Sequence, residues 1–407
     1  MHPHVQQTLF WGSLGLGIAL VPYLYHTVFS SAAPAPVASS TPSASTPAAA
    51  PAHDLRAALD VLTSGGQLSS AEYEAIGAAV AGGRVDSHQL AGFLLAVATR
   101  GESSEALVGF ARAMRAAATR VDLLGGSVQE IVGTGGDGQD TVNISTAAAV
   151  LAAACGVPMA KHGSVAVSSR SGAADVLQCL GVARLPPPAI PASLHRCGLA
   201  FMHAPLFHPA MRHAQPVRAA LRVRTLFNAL GPLLNPAGAR FLLLGVATPA
   251  LQALYAQALP HLGVQRALIV HTPLPSGGGL DELATIAPAR VIEVQGSASA
   301  SASSASVQEY VLDTAAWGVP QGRIEDLRGG SPAHNAAAIE RVLGGGQADS
   351  HLARTIALNA GAAMYCFGAA PSIREGYTTA LSVLDSGEAG KKLKEWARVS
   401  QELQGSK

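Results

Sequence analysis

One stretch of this chain restricts its fold more than any other. Residues 131–156 read IVGTGGDGQDTVNISTAAAVLAAACG, so two β-branched residues lead into glycines and aspartates, and alanines follow. This order predicts a strand, a loop of bare backbone and then a helix that begins near Ser145 or Thr146. A helix N-terminus carries free N–H groups and a partial positive charge, and glycine lets ligand oxygens approach the backbone. The stretch is therefore typical of a phosphate-binding loop.

The spacing of apolar residues changes once along the chain, near residue 125. Residues 54–124 carry leucines three and four positions apart and a capping box from Ser69 to Glu72, which predicts a small helical domain. Residues 125–407 alternate helical stretches with short β-type runs, VQEIVG, VPMAKHG, RFLLLGVA and RALIVHT. This alternation predicts a larger α/β domain with a central, mainly parallel sheet flanked by helices. We expect a helical part of about residues 185–225 to pack with the N-terminal domain.

Three segments lie outside this pattern. Residues 9–29 form an uncharged apolar run, which predicts an anchor or targeting segment with a membrane contact, whereas its glycines, Pro22 and the missing basic flank favour a disordered or misassigned start. Without an anchor, we expect a cytoplasmic protein. Residues 30–53 are rich in Ser, Ala and Pro and predict a linker. Residues 296–307, GSASASASSASV, predict a flexible surface insertion.

The charge and cysteine content exclude several functions. The formal net charge is +1, from 27 basic and 26 acidic residues, so no overall field attracts nucleic acid. The four cysteines are far apart, sit among apolar residues and lack the close pairs of zinc or disulfide frameworks, which predicts buried, reduced thiols at Cys155, Cys179, Cys197 and Cys366.

A second loop of small residues follows the next predicted strand. It begins after Lys161, and a helix is predicted to start between Gly172 and Asp175. Neighbouring parallel strands end at one edge of a sheet, where ligands commonly bind. The first loop lacks GxGxxG and the P-loop lysine, so neither dinucleotide binding nor nucleotide hydrolysis is predicted. Two alternatives stay open here: a capped glycine turn without ligand, and a solvated lysine at residue 161.

Five segments in order carry a family resemblance: GTGGDGQDTVNIST, KHGSVAVSSRSGAADVL, FHPAMRHAQPVR, RTLFNALGPLLNPA and GLDELA. Together they resemble the anthranilate phosphoribosyltransferases, from about residue 54 almost to the end. The resemblance implies transfer of phosphoribosyl from phosphoribosyl pyrophosphate to the amine of anthranilate, with release of pyrophosphate, in tryptophan biosynthesis. It also implies Mg²⁺ as cofactor and a homodimer.

The resemblance implies three sets of site residues. For phosphoribosyl pyrophosphate they are Gly133, Gly136, Asp137, Thr141, Asn143, Ser145, Thr146, Lys161, Ser168 and Ser169. For anthranilate they are Gly133, Ser164 and Arg218, with Arg222 and Arg224 as alternatives to Arg218. For the metal they are Ser145, Asp281 and Glu282. No general base is assigned, because an aromatic amine is largely unprotonated at neutral pH.

The second loop departs from the family pattern. The family usually reads KHGN followed by a basic residue, whereas this chain has Ser164 and Val165, and Ala173 stands where a phosphate-facing serine is usual. A lost neutral hydrogen bond costs on the order of 1 kcal/mol, so we predict weaker substrate binding. The altered loop leaves open a nucleoside phosphorylase-type activity, and neutral charge disfavours a non-catalytic relative that binds nucleic acid.

Overall fold

The computed structural model describes residues 53–123, 125–166, 169–296 and 305–405. The predicted anchor (9–29), almost all of the predicted linker (30–53) and the predicted site residue Ser168 lie outside these ranges. Within them, no helix combines the length and the apolar character that a bilayer crossing requires.

The N-terminal part is helical, and polar caps set its helix starts. The Ser69 hydroxyl accepts a hydrogen bond from the Glu72 N–H (3.3 Å), and Glu72 Oε2 accepts one from the Ser69 N–H (2.7 Å). Phe93 and Phe110 stack between helices with ring centroids 6.0 Å apart. The helices are α1 (Arg56–Thr63), α2 (Ser70–Ala81), α3 (Ser87–Arg100) and α4 (Ser104–Ala116).

The α/β part is built on one mixed sheet. Its strands are β1 (Gln129–Gly133), β2 (Met159–Gly163), β3 (Leu199–His203), β4 (Phe241–Gly245), β5 (Arg266–Pro273), β6 (Gly279–Leu280), β7 (Ala289–Gln295) and β8 (Ser306–Leu312). The strand order is β3-β2-β1-β4-β5-β7-β8, and β6 pairs with β5. The first five strands in this order are parallel, and β7 and β8 run antiparallel to their neighbours.

Eleven helices of the described residues belong to this part. Ser350 caps α13 by accepting a hydrogen bond from the Ala353 N–H (3.1 Å), and Gly368 ends that helix in the left-handed conformation (φ 89°). The helices are α5 (Ile144–Ala154), α6 (Ala173–Cys179), α7 (Ile190–Cys197), α8 (Ala204–Phe207), α9 (Gln215–Leu221), α10 (Leu226–Leu230), α11 (Pro249–Ala258), α12 (Pro332–Leu343), α13 (His351–Phe367), α14 (Ile373–Asp385) and α15 (Glu388–Gly405).

Both faces of the sheet are buried, as expected where helices cover a parallel sheet. Leu243 of β4 packs into the core beneath α5 and α13, whereas Leu242 and Leu244 pack on the opposite face, with α4 and α11. This alternation follows from the two-residue period of a strand. The architecture confirms the predicted fold class, a small helical part plus an α/β domain with a mainly parallel sheet.

The segment around residues 185–225 reaches the N-terminal helices at its C-terminal end. Val217 of α9 and Phe227 of α10 share a core with those helices, and the Phe227 ring meets Phe110 edge-on at 5.8 Å. Residues 297–304 of the predicted insertion (296–307) lie outside the described residues. Ser306 pairs with Gln295 and begins β8, so residues 306–307 belong to the sheet.

Candidate active site

A cavity lies at the carboxyl end of β1 and is bordered by four segments of the chain. It brings together six predicted site residues of the first segment and the two predicted carboxylate ligands of the metal, with Ser169 on a second side and Gly330 and Asn335 on a third. The predicted residues along it are Gly133, Gly136, Asp137, Thr141, Asn143, Ser145, Ser169, Asp281 and Glu282. Thr146, Lys161, Ser164 and Arg218 do not line it.

The loop after β1 is shaped by glycines. Gly135, Gly136 and Gly138 have positive φ values of 67°, 76° and 73°, which favour glycine over any residue with a Cβ. Gly133 has a different reason: a Cβ there would lie 2.4 Å from Asp281 Oδ2. A Cβ on Gly136 would meet the guanidinium of Arg224. The loop is therefore held in close contact with side chains from distant segments.

Helix α5 begins at Ile144 with Asn143 as its N-cap residue, close to the predicted start. The Ser145 N–H in its first turn donates a hydrogen bond to Glu282 Oε1 (3.0 Å). A carboxylate is stabilised at this helix end by the partial positive charge of the N-terminus. The buried Thr146 hydroxyl has no hydrogen-bond partner in the structure.

Asp281 and Glu282 approach the glycine loop from the segment after β6. Asp281 Oδ2 accepts a hydrogen bond from the Gly135 N–H (2.6 Å), and the Thr272 hydroxyl donates to the Glu282 carbonyl (2.7 Å). Burial raises the pKa of Asp281, and the Asp137 charge raises it further. Burial also raises the pKa of Glu282, to which the Asp281 charge adds. Carboxylates in this arrangement gain stability from a bound cation.

The carboxylates at the cavity are suitable ligands for Mg²⁺. Hard oxygen ligands are present, and Asp137 stands close enough to raise the pKa of both other carboxyls. Within the described ranges, no three His, Cys, Asp or Glu side chains converge on a ready-made metal site. Mg²⁺ is usually held by one or two carboxylates and completes its shell with water and substrate phosphates.

Lys161 is buried, with only 3% of the residue exposed, so the alternative of a solvated strand-end lysine is wrong. Its Nζ donates hydrogen bonds to the Ile131 carbonyl (3.0 Å) and to Ser145 Oγ (3.2 Å). Burial lowers its pKa, and attraction to Glu282 and Glu130 opposes that shift. Lys161 thus lies behind the cavity wall as a counter-charge.

The loop after β2 is ordered by Asp175 of α6. Asp175 Oδ2 accepts hydrogen bonds from the Ala166 N–H (2.8 Å) and from the Gly172 N–H (3.0 Å). The side chain of Val165, which takes the place of the family's basic residue, is exposed. Arg170 and Ser171 line the cavity although the sequence had not singled them out.

Arg218 stands half-buried in α9, away from the cavity lining. Its guanidinium lies 5.4 Å from the centroid of the Phe227 ring, and in the part of the chain that the structure describes it has no hydrogen bond or ion pair. Burial lowers its pKa. Arg222 is not on the same helical face, because α9 ends at Leu221 and Arg222 adopts a left-handed conformation (φ 53°).

The third side of the cavity comes from Gly330 and Asn335, which sequence reasoning missed. Both belong to the segment that enters α12, and Asn335 is buried. A signal was present, because the glycine pair at 329–330 precedes a Ser-Pro helix start. Nothing in those letters connects them with the loop after β1.

Comparisons with known proteins agree with this architecture. The glycosyl transferase family model for the a/b domain matches residues 125–390, and the model for the helical bundle domain matches residues 56–118. The anthranilate phosphoribosyltransferase of Shewanella sp. (strain W3-18-1) is 45% identical over 298 residues, which cover 72% of this chain and 82% of that protein.

Two solved structures share the fold. The anthranilate phosphoribosyltransferase of Thermus thermophilus has a TM-score of 0.76 at 41% identity, covering 84% of this chain and 99% of its own. The Saccharomyces cerevisiae enzyme in complex with PRPP and Mg has a TM-score of 0.74 at 26% identity, covering 86% and 99%. The chain belongs to the anthranilate phosphoribosyltransferase family.

Proposed function

We propose that the chain transfers the phosphoribosyl group of phosphoribosyl pyrophosphate to the amine of anthranilate and releases pyrophosphate. One observation carries the proposal: the glycine loop and the carboxylate pair meet in a single cavity, where the Gly135 N–H bonds Asp281 and the Ser145 N–H bonds Glu282. Backbone amides suit the phosphates of the donor, and carboxylates suit the cation that accompanies them.

The loop and the first turn of α5 are the proposed binding site for the sugar pyrophosphate. Gly133, Gly136, Asp137, Thr141, Asn143, Ser145 and Ser169 support this role because they line the cavity. Thr146 lies next to Ser145 in the first turn of α5 but does not line the cavity, and its role stays a prediction. Lys161 acts from behind by holding Ser145 Oγ. The role of Ser168, which lies outside the described residues, stays a prediction.

Asp281 and Glu282, with the Ser145 hydroxyl, are the proposed Mg²⁺ ligands. When bound, the ion would neutralise charge on the departing pyrophosphate. The protein's own contribution is orientation: Gly135 fixes Asp281, and Ser145 and Thr272 fix Glu282. Such outer contacts set how ligating carboxylates point.

Arg218 is the proposed partner of the anthranilate carboxylate. A half-buried guanidinium that has no ion pair in the described part of the chain carries a desolvation cost, which a carboxylate would offset by two parallel hydrogen bonds. Ser164 and Gly133 are proposed to border the same substrate. The amine needs no strong base, so alignment with the sugar carbon is the main task of this side of the site.

The test is an anthranilate fluorescence assay on the full chain with phosphoribosyl pyrophosphate and Mg²⁺. We expect consumption of anthranilate that stops when EDTA is added and does not start without the sugar pyrophosphate. The variant Asp313→Asn is a control, because Asp313 is an aspartate outside the cavity lining whose Oδ1 accepts a hydrogen bond from the Ala315 N–H. No consumption at saturating substrates would overturn the proposal, and turnover of nucleosides with phosphate would favour phosphorolysis.

We also infer from the family that the chain forms a homodimer. Analytical ultracentrifugation of the full chain should give a mass of about twice 41.2 kDa. A monomer at micromolar concentration would contradict this inference.

A further inference from the structure

The carboxamide of Asn143 connects three segments around the cavity. Its Oδ1 accepts hydrogen bonds from the Ser171 hydroxyl (3.2 Å) and from Asn335 Nδ2 (3.0 Å), and its own Nδ2 donates to the Ser171 carbonyl (3.0 Å). A carboxamide oxygen has two lone pairs, so this acceptor is saturated. The glycine loop, the loop after β2 and α12 therefore meet at one side chain.

Asn335 belongs to α12, 192 positions from Asn143, and only 1% of it is exposed. Its second group is also used, because Oδ1 accepts a hydrogen bond from the Gly330 N–H (2.7 Å). Burying an amide costs free energy unless it is hydrogen-bonded, and an apolar residue could fill a helix position equally well. Packing alone does not account for an asparagine here.

The backbone around this contact is already paired. The Val142 N–H donates to the Leu327 carbonyl (2.9 Å), and the Gly329 N–H donates to the Asp140 carbonyl (2.8 Å). A Cβ on Gly329 would lie 2.6 Å from the Thr141 carbonyl oxygen. Since these contacts hold the two segments together without Asn335, its side chain is available for a more local task.

That task concerns the start of α5. An N-cap asparagine ordinarily uses its Oδ1 to accept a bond from an amide two or three residues on. Asn143 makes no such bond, and Glu282 accepts from the Ser145 N–H instead. Ser171 and Asn335 hold the Asn143 oxygen away from its own helix. Without Asn335, only Ser171 would hold this oxygen, whose second lone pair could then compete with Glu282 for the Ser145 amide.

We propose that Asn335 is a positioning residue for phosphoribosyl pyrophosphate. Acting through Asn143, it keeps the end of the glycine loop and the first turn of α5 in the conformation that receives the sugar pyrophosphate, and it keeps Glu282 on Ser145. This inference rests on the proposed function, because the ligand is the substrate named there.

The test compares Asn335→Ala with Gln252→Ala in the full chain. Gln252 is also a buried amide, with hydrogen bonds to the Ile269 and Arg290 carbonyls, and it does not line the cavity. Asn335→Ala should raise the KM and the calorimetric Kd for phosphoribosyl pyrophosphate about tenfold, which corresponds to loss of one or two hydrogen bonds. At saturating phosphoribosyl pyrophosphate, the KM for anthranilate should stay within about twofold of the wild-type value, a change no larger than an ordinary surface substitution causes.

A purely structural role predicts a different result. Gln252→Ala should lower the Tm and leave the Kd for phosphoribosyl pyrophosphate unchanged, and the same pattern in Asn335→Ala would overturn the proposal. If Asn335→Ala does not fold, Asn335→Asp keeps an acceptor for the Gly330 N–H, loses the donation to Asn143 and adds a negative charge. Wild-type affinity in that variant would also overturn the proposal.

Ser171→Ala provides the second arm. Both Ser171 and Asn335 act on the same oxygen of Asn143, so their effects on the Kd should be less than additive in the double variant. Additive effects would overturn the link through Asn143. If the wild-type chain and Asn335→Ala bind phosphoribosyl pyrophosphate equally well, this inference is wrong and the proposed function stands. If the wild-type chain does not bind phosphoribosyl pyrophosphate, the proposed function is wrong as well.

Discussion

The glycine loop after β1 and the segment that enters α12 border the same cavity by different means. The loop offers bare backbone in left-handed conformations, at Gly135, Gly136 and Gly138. The α12 segment offers a buried amide, Asn335, that bonds to the loop. The first region supplies the groups that face a ligand, and the second holds them in place. Binding and positioning are thus divided between parts of the chain almost 200 residues apart.

The two regions also differ in how much room they leave. At the start of the loop, the backbone passes so close to the carboxylate segment that a Cβ on Gly133 would lie 2.4 Å from Asp281 Oδ2. Asn335, by contrast, makes contacts at ordinary hydrogen-bond distances of 2.7 and 3.0 Å. Substitutions in the loop should therefore act by collision, whereas those around it should act by lost bonds.

Gly133→Ala should have the largest effect. The new Cβ would lie 2.4 Å from Asp281 Oδ2, and the carboxylate would have to leave its bond with the Gly135 N–H. We expect kcat/KM for phosphoribosyl pyrophosphate to fall about 100-fold or more, since overpacking costs of roughly 3 kcal/mol are common. Gly231→Ala is the control, because a Cβ at Gly231 meets nothing within 4 Å. Equal activities of the two variants would show that the close approach is not needed.

Asp281→Asn should come next, because it changes charge and keeps shape. The carboxamide oxygen still accepts from the Gly135 N–H, so the loop contact survives while a charged metal ligand is lost. The Mg²⁺ concentration for half-maximal activity should rise about 30-fold, within the range usual for disturbed metal sites. A Mg²⁺ titration against Asp313→Asn measures it. An unchanged titration would show that Asp281 is not a ligand of the metal.

Arg218→Ala should affect one substrate only. Removing the guanidinium leaves the anthranilate carboxylate without its partner, so the anthranilate KM should rise about tenfold while the KM for phosphoribosyl pyrophosphate stays constant. Arg222→Ala is the control, because Arg222 lies past the end of α9 in a left-handed conformation. If Arg222→Ala gave the larger rise, the carboxylate partner would be Arg222.

Local patterns made much of the fold predictable. Ser69 and Glu72 form the predicted capping box, and β1, β2, β4 and β5 lie in the predicted β-type runs. The glycine loop could be assigned to phosphate because its glycines, aspartates and helix start are adjacent in the chain. In each case the interacting residues lie within a few positions of each other, so the contact can be inferred from a short stretch of sequence.

Contacts between distant residues were not predictable. Lys161 turns to the Ile131 carbonyl and Ser145, which only the pairing of β1 with β2 determines. Asn335 looked like an ordinary polar residue of a helix, and no short pattern links it to Asn143. Ser306 was missed for another reason: β8 is an edge strand whose residues are mostly exposed, so it lacks the apolar run of a central strand.

Ala173→Ser should have the smallest effect, and it tests whether the loop after β2 is the weaker side of the site. Ala173 is the first residue of α6 and stands where the family usually has a phosphate-facing serine. The new hydroxyl would add a donor at a helix N-terminus, so the KM for phosphoribosyl pyrophosphate should fall about threefold, slightly less than one full hydrogen bond gives. Ala71→Ser is the control, since Ala71 is an exposed residue in the first turn of α2. A lower KM only in Ala173→Ser would show that the loop after β2 faces the phosphate and lacks one hydrogen-bond donor. An unchanged KM with an unchanged Tm would mean that the loop after β1 and Asn335 account for the binding of phosphoribosyl pyrophosphate without the loop after β2.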